Sequence, residues 1–213
     1  MISVIWLIAG GVFAYLMGSF SSAVWIGRWF YGIDVRKHGS GNAGATNTFR
    51  VLGNKAGVIV MIIDIAKAWF AVMLASVFAG GSLTPEQIVN YKILLGSLAV
   101  IGHVYPVFTG FRGGKGVASL VGVIIALYSP YIFLIVLCWF VFVFLITRYV
   151  SVASMTSAVL FSILALFVFP QTNLFLIILA ALIAVFIPFT HRDNIKRLLK
   201  GQENKFRFKT KEK

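Results

Sequence analysis

Seven long apolar runs, separated by short polar or charged stretches, decide the solvent in which this chain can fold. They cover about Ile2–Ile26, Gly57–Ala79, Tyr91–Phe108, Gly114–Ser129, Tyr131–Thr147, Val150–Phe169 and Asn173–Phe189. Each is long enough to cross, or nearly cross, a hydrocarbon core of about 30 Å. Only 12% of the 213 residues are charged and 60% are hydrophobic, which excludes an ordinary soluble domain. The expected fold is an all-α, polytopic transmembrane bundle of seven spans. Gly114–Thr147 is too long for one helix; a break at Ser129 and Pro130 leaves two segments of about 25 Å at 1.5 Å per residue, either two spans or a re-entrant pair. The first basic residue is Arg28, so the N-terminal run lacks the positive start of a signal peptide and is read as a span.

Charge orients the bundle. The net charge is +13, from 19 Lys and Arg against 6 Asp and Glu. Its confinement to loops and tail points to phosphate headgroups or phosphorylated substrates and away from nucleic acid. Seven alternating spans put residues 27–56, 109–113, 148–149 and the C-terminal tail on one face. That face carries Arg28, Arg36, Lys37, Arg50, Lys55, Arg112, Arg148 and nine Lys and Arg from Arg192 onward, with Lys115 just inside the fourth helix. The other face has Lys92 alone. The asymmetry predicts the N-terminus out and the C-terminus in. The expected organisation is one transmembrane catalytic domain, 1–200, with cytoplasmic loops 27–56 and 109–116, and a basic cytoplasmic tail, 201–213.

Two features inside the spans need partners or packing. Asp64 and Lys67, three residues apart on one helical face, are expected to pair, as a structural ion pair or as part of a proton or substrate path. The single cysteine, Cys138, lies in an apolar run and is expected to be buried packing; it forms no intramolecular disulfide, and no metal-ligand spacing exists.

Three segments carry chemistry. Gly39-Ser40-Gly41-Asn42-Ala43-Gly44-Ala45-Thr46-Asn47 has three glycines and no bulky side chain, so backbone N–H groups can converge on an anion, with Arg36, Lys37 and Arg50 supplying charge. Gly110-Phe111-Arg112-Gly113-Gly114-Lys115-Gly116 places a lysine at a helix start, beside free N–H groups and the positive end of the dipole. It is not a Walker A loop: Thr109 stands where the first glycine belongs and Gly116 where Ser or Thr would bind magnesium, which disfavours nucleotide hydrolysis. The third segment, 191–203, puts His191, Asn194 and Leu198 on one helical face, with Arg192 and Lys196 toward headgroups. No His is followed by Asp at acyltransferase spacing, no Gly-x-Ser-x-Gly elbow occurs, and no cofactor is expected. His103 is read as a hydrogen-bonded structural residue more readily than as a catalyst.

Together GSGNAGATNTFRVLG at 39–53, GHVYPVFTGFRGGKG at 102–116 and HRDNIKRLLKGQE at 191–203 resemble the acyl-phosphate-dependent glycerol-3-phosphate acyltransferases of bacteria, the PlsY family. The resemblance implies transfer of a fatty acyl group from acyl phosphate to the 1-hydroxyl of glycerol 3-phosphate, giving lysophosphatidate and phosphate. It implies a bacterial inner-membrane location, an active site facing the cytoplasm and coupling to an acyl-phosphate-forming enzyme. By motif, Ser40 and Arg50 are essential, and Lys115, His191 and Asn194 line the glycerol-phosphate site. Gly39, Gly41, Asn42, Gly44, Thr46 and Asn47 hold the acyl phosphate, Gly113 and Gly114 belong to the second loop, and Glu203 is structural. The hydroxyl proton has two candidate acceptors, His191 or a substrate phosphate oxygen, and the family pattern favours the second. The alternative class is a transporter or exchanger of a phosphorylated solute or lipid.

Overall fold

The computed structural model describes residues 4–206, and every regular element among them is helical. They divide into two compact units, 4–127 and 128–206.

In the first unit α1 (Val4–Ser19) bends by 47° into α2 (Ser22–Tyr31). Next come α3 (Ala45–Leu52), α4 (Asn54–Met73) with its continuation α5 (Ala75–Ala79), α6 (Pro85–Val104) and α7 (Val117–Leu127). α6 starts earlier than its apolar run because Thr84 and Gln87 form a reciprocal capping box with Pro85 in the first turn. Small residues let these helices approach closely. A Cβ on Gly18 of α1 would strike the Ala99 carbonyl of α6, and one on Gly102 of α6 would strike the Tyr15 carbonyl of α1.

The bend between α1 and α2 is where lipid-depth backbone would otherwise lose its partners. Two charges from α4 serve it. Lys67 Nζ donates to the Phe20 carbonyl at 2.8 Å, and Asp64 Oδ1 accepts from Ser22 Oγ at 2.7 Å. The cation thus meets the C-terminal end of α1 and the anion the N-terminal end of α2, the signs that the two helix dipoles favour. Asp64 and Lys67 also pair with each other at 2.9 Å, both buried.

In the second unit α8 (Pro130–Thr147) packs on α9 (Val150–Ile163), which ends in a wide π turn, Leu164–Val168. α10 (Leu174–Thr190) packs on α9 and bends by 56° into α11 (Arg192–Leu199). α8 buries only Ile132 and Val143, and Cys138 lies exposed on its outer side. The expectation that Cys138 is buried is therefore corrected: this helix is apolar all round, so hydropathy alone does not tell its packed face from its outer one.

Among the described residues, four helices or continuous helical stretches are long and apolar enough to cross a membrane, and up to six if each bent pair is one span. α7, the core of the expected fourth span, has 11 residues, about 16 Å of helix. Phe206 N–H donates to the Arg148 carbonyl at 2.8 Å, and its ring meets Phe144 edge-on at 5.6 Å. Residues 201–206 thus belong to the packed second unit, while 207–213 lie outside the described residues.

Candidate active site

The first glycine segment is half loop and half helix. It ends at Gly44, and Ala45, Thr46 and Asn47 form the first turn of α3, where the helical ladder offers no acceptor to the leading N–H groups. Asn47 is built into this loop: its Oδ1 accepts the Ser40 N–H at 2.8 Å, and its Nδ2 donates to the carbonyls of Val35 (2.8 Å) and His38 (3.1 Å). Both amide hydrogens are used and the residue is buried. Asn47 therefore shapes the loop. Gly39 adopts φ +61°, and a Cβ there would collide with the Asn47 amide. Ser40, Asn42, Gly44, Thr46 and Arg50 are half-buried and Gly41 is exposed.

Arg36 has a role that its sequence position did not suggest. It was expected to bring charge to the anion; instead its guanidinium is neutralised by Asp34, through Nε at 3.0 Å and Nη2 at 2.8 Å. The Arg36 side-chain hydrogen bonds hold the Asp34 carboxyl well below the usual carboxylate range despite partial burial, with the Arg36 backbone N–H and Arg28 as further donors. The remaining Arg36 nitrogen, Nη1, donates to the Thr109 carbonyl and, at 3.5 Å, to that of Arg112. Asp34 was not singled out in the sequence; its position two residues before an arginine was the available signal.

Arg36 thereby ties the first glycine segment to the second. A backbone bond does the same: Ala43 N–H donates to the Gly113 carbonyl at 3.4 Å. The second loop is anchored behind by Gly113 N–H to the Val104 carbonyl (3.2 Å) and Gly114 N–H to the His103 carbonyl (3.1 Å). Lys115 is half-buried and precedes α7 by two positions, so it lies in the loop, outside the helix start where it was expected.

The second unit holds the third segment. His191 is buried at the junction of α10 and α11, with Nδ1 2.8 Å from the Ile187 carbonyl. A carbonyl oxygen only accepts, so Nδ1 carries a hydrogen. Asn194, one turn along, donates to Glu203 Oε1 at 2.6 Å. Ser151 Oγ donates to the same oxygen at 2.9 Å, and Arg197 Nε reaches Oε2 at 2.8 Å. Burial pushes the Glu203 carboxyl up, but bonds from Arg197, Asn194 and Ser151 outweigh it and leave it below its ordinary value. Leu198 is half-buried beside them, and Arg192 and Lys196 are exposed.

Apolar helices of spanning length, with two glycine loops joined by a backbone bond, define a multi-pass integral membrane protein. The glycerol-3-phosphate acyltransferase family model matches residues 8–201. The chain is 44% identical to a glycerol-3-phosphate acyltransferase of Fusobacterium nucleatum subsp. nucleatum, over 92% of this chain and 96% of that protein. It is also 44% identical to one from Listeria monocytogenes serovar 1/2a, over 95% and 98%. It superposes with a TM-score of 0.83 and 37% identity on a crystal structure of PlsY (YgiH), an integral membrane glycerol 3-phosphate acyltransferase, in its glycerol 3-phosphate form, covering 94% of this chain and 96% of that one. The lysophosphatidic acid form of PlsY matches with a TM-score of 0.80. This chain belongs to the glycerol-3-phosphate acyltransferase family.

Proposed function

We propose that this chain moves a fatty acyl group from acyl phosphate to the 1-hydroxyl of glycerol 3-phosphate, releasing lysophosphatidate and phosphate. The observation that carries the reading is the junction of two glycine loops through Ala43 and Gly113 in a member of this family. Two adjacent glycine loops, one flanked by Arg50 and the other carrying Lys115, suit a reaction that must hold two anions side by side against their repulsion.

The chemistry asks little covalent help of the protein. The glycerol hydroxyl oxygen attacks the acyl carbonyl, the bond from carbonyl carbon to phosphate oxygen breaks, and phosphate leaves as a stabilised anion. The hydroxyl proton passes to a phosphate oxygen of the substrate. The Ser40 hydroxyl and the N–H groups of Asn42, Gly44, Ala45 and Thr46 orient the acyl phosphate, and Arg50 balances its charge. Lys115 takes the phosphate of the acceptor. The acyl chain lies among the spans, entering from membrane lipid. No cofactor or metal takes part, and acyl phosphate comes from a separate enzyme.

The same proposal places the protein in a bacterial inner membrane with seven spans, N-terminus out and the loops in the cytoplasm. The two bent pairs and four straight spans make six, and α7 with the extended residues before it is the seventh. A reporter joined after Lys213 should then read cytoplasmic; an outside reading overturns the orientation.

The decisive assay is phosphate release by purified protein given acyl phosphate, glycerol 3-phosphate, or both. Release with both substrates and little with either alone is expected; no release with both ends the proposal. A transporter of phosphorylated solutes would instead move glycerol 3-phosphate across proteoliposomes without consuming acyl phosphate.

A further inference from the structure

The ammonium of Lys67 is surrounded by three acceptors. These are the Phe20 carbonyl at 2.8 Å, Asp64 Oδ1 at 2.9 Å and His103 Nδ1 at 3.1 Å. An ammonium has three N–H bonds and accepts none, so these partners use all three and the facing imidazole nitrogen has to accept. The alternative, a hydrogen on Nδ1 aimed at Asp64, has to span 3.4 Å and to sit against the closer ammonium. His103 therefore keeps its lone pair on Nδ1 and its hydrogen on Nε2.

Nε2 is the edge of the ring that meets the second glycine loop. A Cβ on Gly114 would run into Nε2, and the Gly114 N–H bonds the carbonyl of His103 itself. Lys115 is the next residue. A charged pair at membrane depth is costly and calls for a use; here it touches both the bend of the first span and the residue beneath the second loop.

We propose that His103 is a positioning residue of the acceptor site: the Asp64–Lys67 pair sets its tautomer and ring orientation, and its Nε2 edge, packed against Gly114, holds the second loop in the form that offers Lys115 to phosphate. This rests on the reading of Lys115 as a glycerol 3-phosphate contact.

The test uses the full chain in lipid nanodiscs with nitrogen-15-labelled histidine, the His103 signals being identified by their loss in His103→Gln. Wild type should show the Nε2–H tautomer, and Lys67→Met should move the hydrogen to Nδ1. By calorimetry, His103→Phe, which cannot accept from Lys67 and so loses the set orientation of its ring beneath Gly114, should bind glycerol 3-phosphate about tenfold more weakly. His103→Gln, whose amide oxygen can accept from Lys67, should recover most of that loss. In turnover the KM for glycerol 3-phosphate should rise in His103→Phe while kcat and the KM for acyl phosphate change less than about threefold. An Nδ1–H tautomer in wild type, unchanged affinity in His103→Phe, or equal loss in every kinetic constant overturns the proposal. Wild type that binds glycerol 3-phosphate without consuming acyl phosphate ends the transfer reading alone. Wild type that does not bind it ends both.

Discussion

Asn47 Oδ1 accepts the Ser40 N–H at 2.8 Å, so the residue seven positions along the chain holds the main chain of the serine that the family pattern marks as essential. Replacing Asn47 by Ala frees that N–H, while the carbonyls of Val35 and His38 keep the N–H groups of His38 and Gly41 as donors. The stranded Ser40 N–H costs about 1–3 kcal/mol. Turnover should fall to within about tenfold of Ser40→Ala, with the helices still folded by circular dichroism. Near-normal phosphate release in Asn47→Ala would remove this bond from the mechanism.

Asp34 makes a pH prediction. Its folded value is depressed by Arg36, so its contribution is fully present above the unfolded value of about 3.9 and fades only as pH falls below that. Asp34→Asn should lose about 1–3 kcal/mol, the scale of a charge-assisted bond. Its melting temperature should trail wild type by a constant margin from pH 7 down to about 4, and the gap should close below that. A gap that already closes at pH 6 would assign the effect to another group. Arg28 is nearly half exposed at its side chain and should matter less.

Glu203 gathers Ser151, Asn194 and Arg197 onto one carboxylate. Glu203→Ala strands all three and should cost about 3 kcal/mol or more, whereas Glu203→Gln keeps one oxygen acceptor and should lose less. Thermal unfolding of both variants checks this. If Glu203→Ala is as stable as wild type but inactive, Glu203 acts on substrate and its bonds are incidental.

Gly114→Ala would drive a methyl into the His103 ring. The loop has to shift, which should raise the KM for glycerol 3-phosphate about tenfold or more while the protein stays folded. Gly32→Ala provides the contrast: nothing crowds its Cβ, and only its φ of +67° is penalised, by about 1 kcal/mol. Equal kinetics for the two would show that crowding at Gly114 is harmless.

The membrane class, the helical fold, the order of the three segments and the pairing of Asp64 with Lys67 could all be read along the chain. Hydropathy, glycine and charge act locally, and partners three residues apart share a helical face. The bend at residues 20–21 could not, because no proline or charge marks it; it is held by Lys67 and Asp64, more than forty positions away. The outward side of Cys138 was equally hidden in a helix apolar on every face.

The sequence by itself determined that two glycine-rich loops exist and that basic residues flank them. Only the tertiary structure decided what those residues do. Read along the chain, Arg36 is a charge for phosphate, Asn47 a ligand by family resemblance and His103 a hydrogen-bonded residue without a named partner. Packing hands Arg36 to Asp34 and the second loop, spends both Asn47 amide hydrogens on backbone, and sets His103 between a buried ion pair and Gly114. The reason is that a hydrogen bond is used once: which partner takes it depends on which segments meet in space.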